Sequence, residues 1–133
     1  MHHDLLFETN RFDLSEVKAH FTNPCCFGED LATWLRRKLL EKGIEMTEPD
    51  QEDWGWYIEG NYKGSGYFVG VGGNANESRE EKNQGEWRIM IEKRRSVWEK
   101  LAGKNEMSEA DEMMRVVRKI LSMEPDFKNV RYE

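Results

Sequence analysis

The chain has 133 residues, a length that corresponds to a single domain, 1–133, with one hydrophobic core. Its five tryptophans exclude a disordered chain. Its longest apolar runs are far too short for a helix that spans a bilayer, and the sequence does not open with the charged and then apolar residues of a signal peptide. We therefore expect a cytoplasmic protein and no membrane partner. The net charge of -6 argues against nucleic acid as a partner, because phosphate contacts need a surplus of Lys and Arg.

The first half of the chain predicts a strand, a helix and a second, short strand. Residues 4–9 have an apolar centre without helical spacing, which is typical of a strand. From Gly28 the apolar residues recur every three or four positions, which predicts an amphipathic helix that ends at a left-handed cap on Gly43. Residues 44–47 then predict a short strand before Pro49.

The centre of the chain predicts a meander of three strands. Residues 54–61 and 67–71 each alternate between apolar and polar side chains, and the turn residues 63–66 between them favour an antiparallel hairpin. Residues 72–85 are polar and rich in glycine, so we expect a long loop there. Residues 87–92 alternate again and complete the meander.

The last part of the chain predicts a turn of helix, a full helix and a final strand. Val97, Trp98 and Leu101 indicate a single helical turn within a basic segment. Ser108 with Asp111 resembles a capping box at the start of the next helix, and residues 130–132 favour a short strand. The predicted fold is therefore α+β: a two-layer sandwich in which two main helices cover one face of an antiparallel-rich sheet of about five to six strands.

The most unusual segment runs from Glu48 to Trp56 and combines four carboxylates with two indoles. Carboxylates attract a basic partner and tryptophans anchor interfaces, so the segment predicts a binding surface. The alternative is that the tryptophans belong to the core and the acids form a solvated turn; adjacent acids on a strand point to opposite faces, which weakens a catalytic pair. The predicted binding residues are Glu48, Asp50, Gln51, Glu52, Asp53, Trp54, Trp56 and Cys26.

The cysteines and histidines predict no metal site. Cys25 and Cys26 are adjacent, so we expect two reduced thiols, and the few histidines do not complete the spacing of a zinc site. Cys26 lies just before the first helix, where the helix dipole lowers the pKa of a thiol, with His20 as a candidate base. This leaves one alternative function, a small-ligand binder or enzyme with a pocket near Cys26, Glu52 and Asp53.

A basic segment follows the third strand of the meander. It contains Lys93, Arg94, Arg95, Lys100 and Lys104, with Trp98 among them. Such a segment is able to touch nucleic acid, an acidic protein or a membrane surface. The simpler interpretation is a solvated loop.

Two segments carry a resemblance to other proteins. Residues 23–35 read NPCCFGEDLATWL, and residues 48–56 read EPDQEDWGW. Together they resemble a group of small uncharacterised bacterial proteins with the patterns NPxCFGxDLAxWL and EPxQEDWGW. The resemblance implies a bacterial, cytoplasmic, free-standing domain in which the two segments lie near each other, and it assigns no catalytic residue.

These observations favour a binding function over an enzymatic one. The chain is small and acidic, and it lacks a complete set of catalytic or metal-binding residues. We therefore expect a non-enzymatic protein-binding module, of adaptor or immunity type, that needs no cofactor and uses the acidic segment to hold a basic protein.

Overall fold

Six strands and three helices make up the part of the chain that the structure describes. The structure is a computed structural model, and it describes residues 2–9, 11–12, 28–52, 55–75, 85–94, 96–103, 108 and 110–132. In chain order the elements are β1 (His2–Thr9), α1 (Glu29–Glu41), β2 (Asp50–Glu52), β3 (Gly55–Tyr62), β4 (Ser65–Ala75), β5 (Gly85–Lys93), α2 (Val97–Ala102), α3 (Glu112–Ser122) and β6 (Lys128–Tyr132).

The strands form one antiparallel sheet in the order β2-β3-β4-β5-β1-β6. Strand β1 lies inside the sheet, between β5 and β6, whereas β2 forms one edge. Helices α1 and α3 pack on the same face and share its hydrophobic core, so the predicted α+β sandwich with two main helices on one face is confirmed.

Strands β3 and β4 form the predicted hairpin. Tyr62 pairs with Ser65, and the two residues between them, Lys63 and Gly64, both have positive φ, at 49° and 81°. Two left-handed residues in a two-residue loop are the signature of a type I′ turn, which matches the twist of the flanking strands. The turn is therefore tighter than the four residues that the sequence suggests.

The core lies between the helices and the inner face of the sheet. The alternation of β3 sends Trp56 and Ile58 inward, while Tyr57 and Glu59 point to the outer face. Fully buried side chains from every layer meet there, and the largest of them is Trp87 on β5. The helices contribute Leu31, Leu35, Leu39, Met113, Met114, Val117 and Leu121.

Two strand boundaries differ from the predicted ones. Within residues 44–47 only Met46 bridges β3, opposite Gly60, because the backbone N–H of Ile44 still donates to Leu39 at the end of α1. The edge strand β2 instead follows Pro49. Residues 72–75, predicted as loop, extend β4, since Gly73 leaves room for the ring of Trp87 on the paired strand.

The start of α3 also differs from the predicted one. Asp111, and not Ser108, is the N-cap: its carboxylate accepts a hydrogen bond from the backbone N–H of Met113 at 2.9 Å. The same carboxylate accepts hydrogen bonds from Tyr67 and Lys93, which hold it against the sheet. The helix therefore begins where the sheet fixes its cap.

Candidate functional site

The first part of the acidic segment, residues 48–52, leads into and forms the edge strand β2 of the described sheet. Glu48, Asp50 and Glu52 are exposed, and Gln51 is half-buried. Trp56 is only 4% exposed and belongs to the core, as the alternative interpretation of this segment holds. Asp53, Trp54 and Cys26 lie outside the described residues, so the pocket predicted near Cys26, Glu52 and Asp53 stays a prediction.

Backbone and side-chain hydrogen bonds fix this edge to its neighbours. Thr47 donates its N–H to the carbonyl of Glu59 at 2.7 Å, and its Oγ1 accepts from the N–H of Glu59 at 3.0 Å. Arg36 on α1 donates from Nε to the carbonyl of Met46 at 3.0 Å. Beyond Pro49, Asp50 and Glu52 pair with Tyr57 and Gly55 of β3. The exposed acids are thus held on ordered backbone.

We define the acidic edge as Glu45, Glu48, Asp50 and Glu52. All four side chains are exposed. Within the part of the chain that the structure describes, none of them forms an ion pair, whereas carboxylates elsewhere pair with Arg or Lys, as Glu59 does with Arg94 and Glu86 with Arg131. The negative charge of this edge is therefore uncompensated and is available to a cation from outside.

An aromatic pair lies beside the acidic edge on the outer face of the sheet. Tyr57 stacks on Phe68 with ring centroids 4.9 Å apart and an interplanar angle of 22°. The hydroxyl of Tyr57 donates to Asp50 at 3.3 Å. Desolvation, the charge of Asp50 and this hydrogen bond raise the pKa of Tyr57 above its ordinary value. Tyr57 therefore stays a neutral donor and presents a half-buried ring next to the carboxylates.

Sequence reasoning places Tyr57 on the outward face but does not select it as a binding residue. The signal was present: Tyr57 and Phe68 fall on the same side of two predicted antiparallel strands, and Asp50 belongs to the acidic segment. What the sequence leaves open is the register, which brings Tyr57 opposite Asp50. Because the register is not known from the sequence, the contact between Tyr57 and Phe68 is not predictable either.

The described residues contain no group of three or more His, Cys, Asp or Glu side chains placed to hold a metal ion. Two shallow grooves of about 250 Å³ each occur on the described surface, and none of the four carboxylates of the acidic edge lines either of them. One lies between the C-terminal ends of α1 and α3, and the other lies beside Thr47, Gly60 and Arg94. The four carboxylates therefore lie on an exposed edge.

The comparisons with known proteins leave the site to be interpreted from its own geometry. No protein-family model, no curated protein and no solved structure matches the chain. Among the described residues, no helix has the length and apolar character needed to cross a membrane.

Proposed function

We propose that this protein is a non-enzymatic binding module that holds a basic protein partner at its acidic edge. The observation that carries the proposal is the set of four exposed carboxylates at the edge of the sheet, none of which forms an ion pair with any residue that the structure describes. Like charges held close together without counter-ions repel each other, and a cationic partner relieves this repulsion on binding.

The backbone of β2 supports the same proposal. Because β2 has a neighbouring strand on one side only among the described residues, its other side is able to pair with an extended segment of a partner. The alternation of the strand places Asp50 and Glu52 on the outer face, beside the position that alternate side chains of such a segment would take. Carboxylates on an edge also discourage pairing with a neutral or acidic strand. The proposed partner segment is therefore extended and basic.

The stacked rings of Tyr57 and Phe68 add an apolar contact to the charged one. They lie next to Asp50 on the outer face, where aliphatic parts of Lys or Arg side chains are able to pack on them. We place this module in the bacterial cytoplasm, as the resemblance of residues 23–35 and 48–56 implies.

A direct binding measurement tests the proposal. The probe is a fluorescent synthetic peptide of alternating Lys and Val, with a Glu and Val peptide as the acidic counterpart. We expect the wild-type chain to bind the Lys peptide at low salt and to lose it at high salt. Asp50→Asn with Glu52→Gln should weaken binding about thirtyfold, since two solvated ion pairs at contact distance contribute about 1 kcal/mol each.

A matched double variant controls for net charge. Glu41→Gln with Glu112→Gln changes the total charge by the same amount at exposed positions on α1 and α3. This control should keep wild-type affinity within about twofold. Equal losses in both variants, or equal binding of both peptides, would contradict a specific acidic edge.

A further inference from the structure

Helix α2 is a short helix that stabilises itself and buries none of its side chains. Ser96 accepts a hydrogen bond from the N–H of Glu99 at 3.1 Å, and the side chain of Glu99 accepts from the N–H of Ser96 at 3.1 Å, which completes a capping box. Gly103 closes the other end with a φ of 66°. The helix is thus built without help from the hydrophobic core.

Its apolar side chains face the solvent. Val97 is 75% exposed, Trp98 72% and Leu101 79%, whereas Trp87 on the neighbouring strand β5 is fully buried. Successive residues lie about 100° apart around a helix, so the three exposed side chains fall within an arc of about 100°. One continuous apolar surface of this size on a solvated helix is typical of a contact surface. We define the α2 surface as Val97, Trp98 and Leu101 together with the neighbouring cations Arg94 and Lys100.

The α2 surface is also the basic part of an acidic protein. Residues 93–104 contain five Lys or Arg residues and one Glu, a net charge of +4 in a chain of -6. The single acid, Glu99, is held by the capping hydrogen bond. Lys93 pairs with Asp111 and Arg94 pairs with Glu59, whereas Lys100 forms no ion pair within the described residues. The surface therefore fits an acidic partner that also offers an apolar contact.

The chain itself carries a surface of that chemistry. The acidic edge has four carboxylates that form no ion pair in the described part of the chain, and the stacked rings of Tyr57 and Phe68 lie beside it. Within one molecule, the β2 part of the acidic edge, Asp50 and Glu52, lies away from the α2 surface. Glu52 lies opposite Gly55 at one end of β3, whereas the backbone N–H of Arg94 donates to the carbonyl of Gly66, which lies opposite Asn61. At about 3.3 Å per residue along the strand, roughly 20 Å separate Glu52 from Arg94.

We propose that the α2 surface of one copy of this chain docks on the acidic edge of a second copy. The inference rests on the proposed function of that edge and names α2 as a basic ligand that the protein carries itself. Three apolar side chains and two cations cover less than the roughly 800 Å² per partner of a stable interface. The contact is therefore weak, reversible and sensitive to salt.

Sedimentation of the full chain over a range of concentrations tests this proposal. We expect the mean mass of the wild-type chain to rise above that of the monomer with concentration at low salt, and to return to it at high salt. In a Trp54→Phe chain, quenching of Trp98 by acrylamide should fall as the mass rises, because Trp34, Trp56 and Trp87 are already buried in the monomer.

Two variants, each lacking one of the two surfaces, make the test specific. Trp98→Ser with Leu101→Ser removes the apolar part of the α2 surface, where the side chains are exposed and the fold does not depend on them. Asp50→Asn with Glu52→Gln removes charge from the acidic edge. Each variant alone should stay monomeric, and an equimolar mixture should form a mixed pair, because each supplies the surface that the other lacks. Thermal melting verifies that both are folded.

Three outcomes would overturn the inference: a wild-type chain that stays monomeric, a Trp98 and Leu101 variant that still associates, or a mixture of the two variants that does not. Binding of the Lys and Val peptide shows whether the proposed function fails as well or only the inference about a second copy. If the Trp98 and Leu101 variant binds that peptide as the wild type does while the wild type stays monomeric, the acidic edge binds basic partners and only the second-copy inference fails.

Discussion

Tyr67 on β4 donates its hydroxyl proton to the carboxylate of Asp111 at 3.0 Å, so the sheet holds the residue that caps α3. Lys93 on β5 approaches the same carboxylate at 3.1 Å. The side chains of Asp111 and Lys93 are 3% and 14% exposed, which makes this a buried ion pair with a neutral donor beside it. The position of α3 over the sheet therefore depends on one carboxylate.

Replacing this carboxylate should destabilise the whole domain. Asp111→Ala removes the helix cap and leaves Lys93 buried without its partner, so we expect the free energy of unfolding to fall by about 3 kcal/mol. Urea unfolding followed by circular dichroism measures the change. Glu112→Ala is the matched control, because its ion pair with Lys63 is exposed and should contribute less than about 1 kcal/mol. Similar losses in both variants would contradict the role of Asp111.

The stability should also depend on pH through Tyr67. Burial, then the hydrogen bond to Asp111, raise the pKa of Tyr67 above its ordinary value. The unfolded chain thus loses this proton at a lower pH than the folded one, and the stability from Tyr67 is lost as pH rises above about 10. Urea unfolding at neutral and alkaline pH should show a smaller alkaline loss for Tyr67→Phe. An equal loss in both chains would contradict this.

Two glycines should respond to alanine for different reasons. A Cβ on Gly73 would lie 2.6 Å from ring carbons of Trp87, so Gly73→Ala should cost about 1–3 kcal/mol and change the near-ultraviolet circular dichroism of the tryptophan. A Cβ on Gly43 would meet nothing within 4 Å, but its φ of 80° is left-handed, so Gly43→Ala should cost about 1 kcal/mol.

A second substitution at each position separates the two mechanisms. Gly43→Asn should recover part of the stability, because Asn tolerates the left-handed conformation. Gly73→Ser adds a larger side chain against the ring of Trp87 and should destabilise more than Gly73→Ala does. Recovery at position 73, or a larger loss with Asn at position 43, would contradict this assignment.

The cap of α2 should matter only locally. Ser96→Ala removes one half of the capping box, which contributes about 1 kcal/mol to helix formation. Because α2 buries no side chain, the global free energy of unfolding should change by less than about 0.5 kcal/mol. Hydrogen exchange of residues 97–102, measured by mass spectrometry, should speed up about fivefold while exchange in α3 stays unchanged. A global loss would contradict the independence of α2.

Periodicity predicts the fold because the inner faces of the elements are strongly apolar. The helix α1 is predicted by apolar residues that recur every three or four positions, at Leu31, Trp34, Leu35 and Leu39. The strand β3 is predicted by the alternation around Trp56 and Ile58. The cap of α3 is not predictable in this way. Ser108 and Asp111 both suit an N-cap, and the choice between them depends on Tyr67, which is 44 residues from Asp111 in the chain.

The candidate site, too, is predicted from the sequence only in part. Composition alone identifies the acidic segment from Glu48 to Trp56. Which of its side chains a partner is able to contact depends on burial, and Trp56 is buried in the core. The spacing of Val97, Trp98 and Leu101 predicts the helical turn that α2 forms, but the capping box of Ser96 and Glu99, with its signature S-x-x-E, is not part of that prediction. That Val97, Trp98 and Leu101 face solvent follows only from the placement of α2 outside the core.

The strand order sets the sequence in which a newly made chain is able to fold. β3, β4 and β5 are joined by neighbouring pairings and are able to assemble as they are synthesised. β1 is made first but pairs with β5 and β6, so Leu5 and Phe7 have no sheet to join until residues 85–93 have left the ribosome. Leu5 pairs with Tyr132 only after residues 128–132 have been made. The apolar strand β1 thus stays without a pairing partner while residues 10–84 are synthesised, and an unpaired apolar strand favours aggregation during that interval.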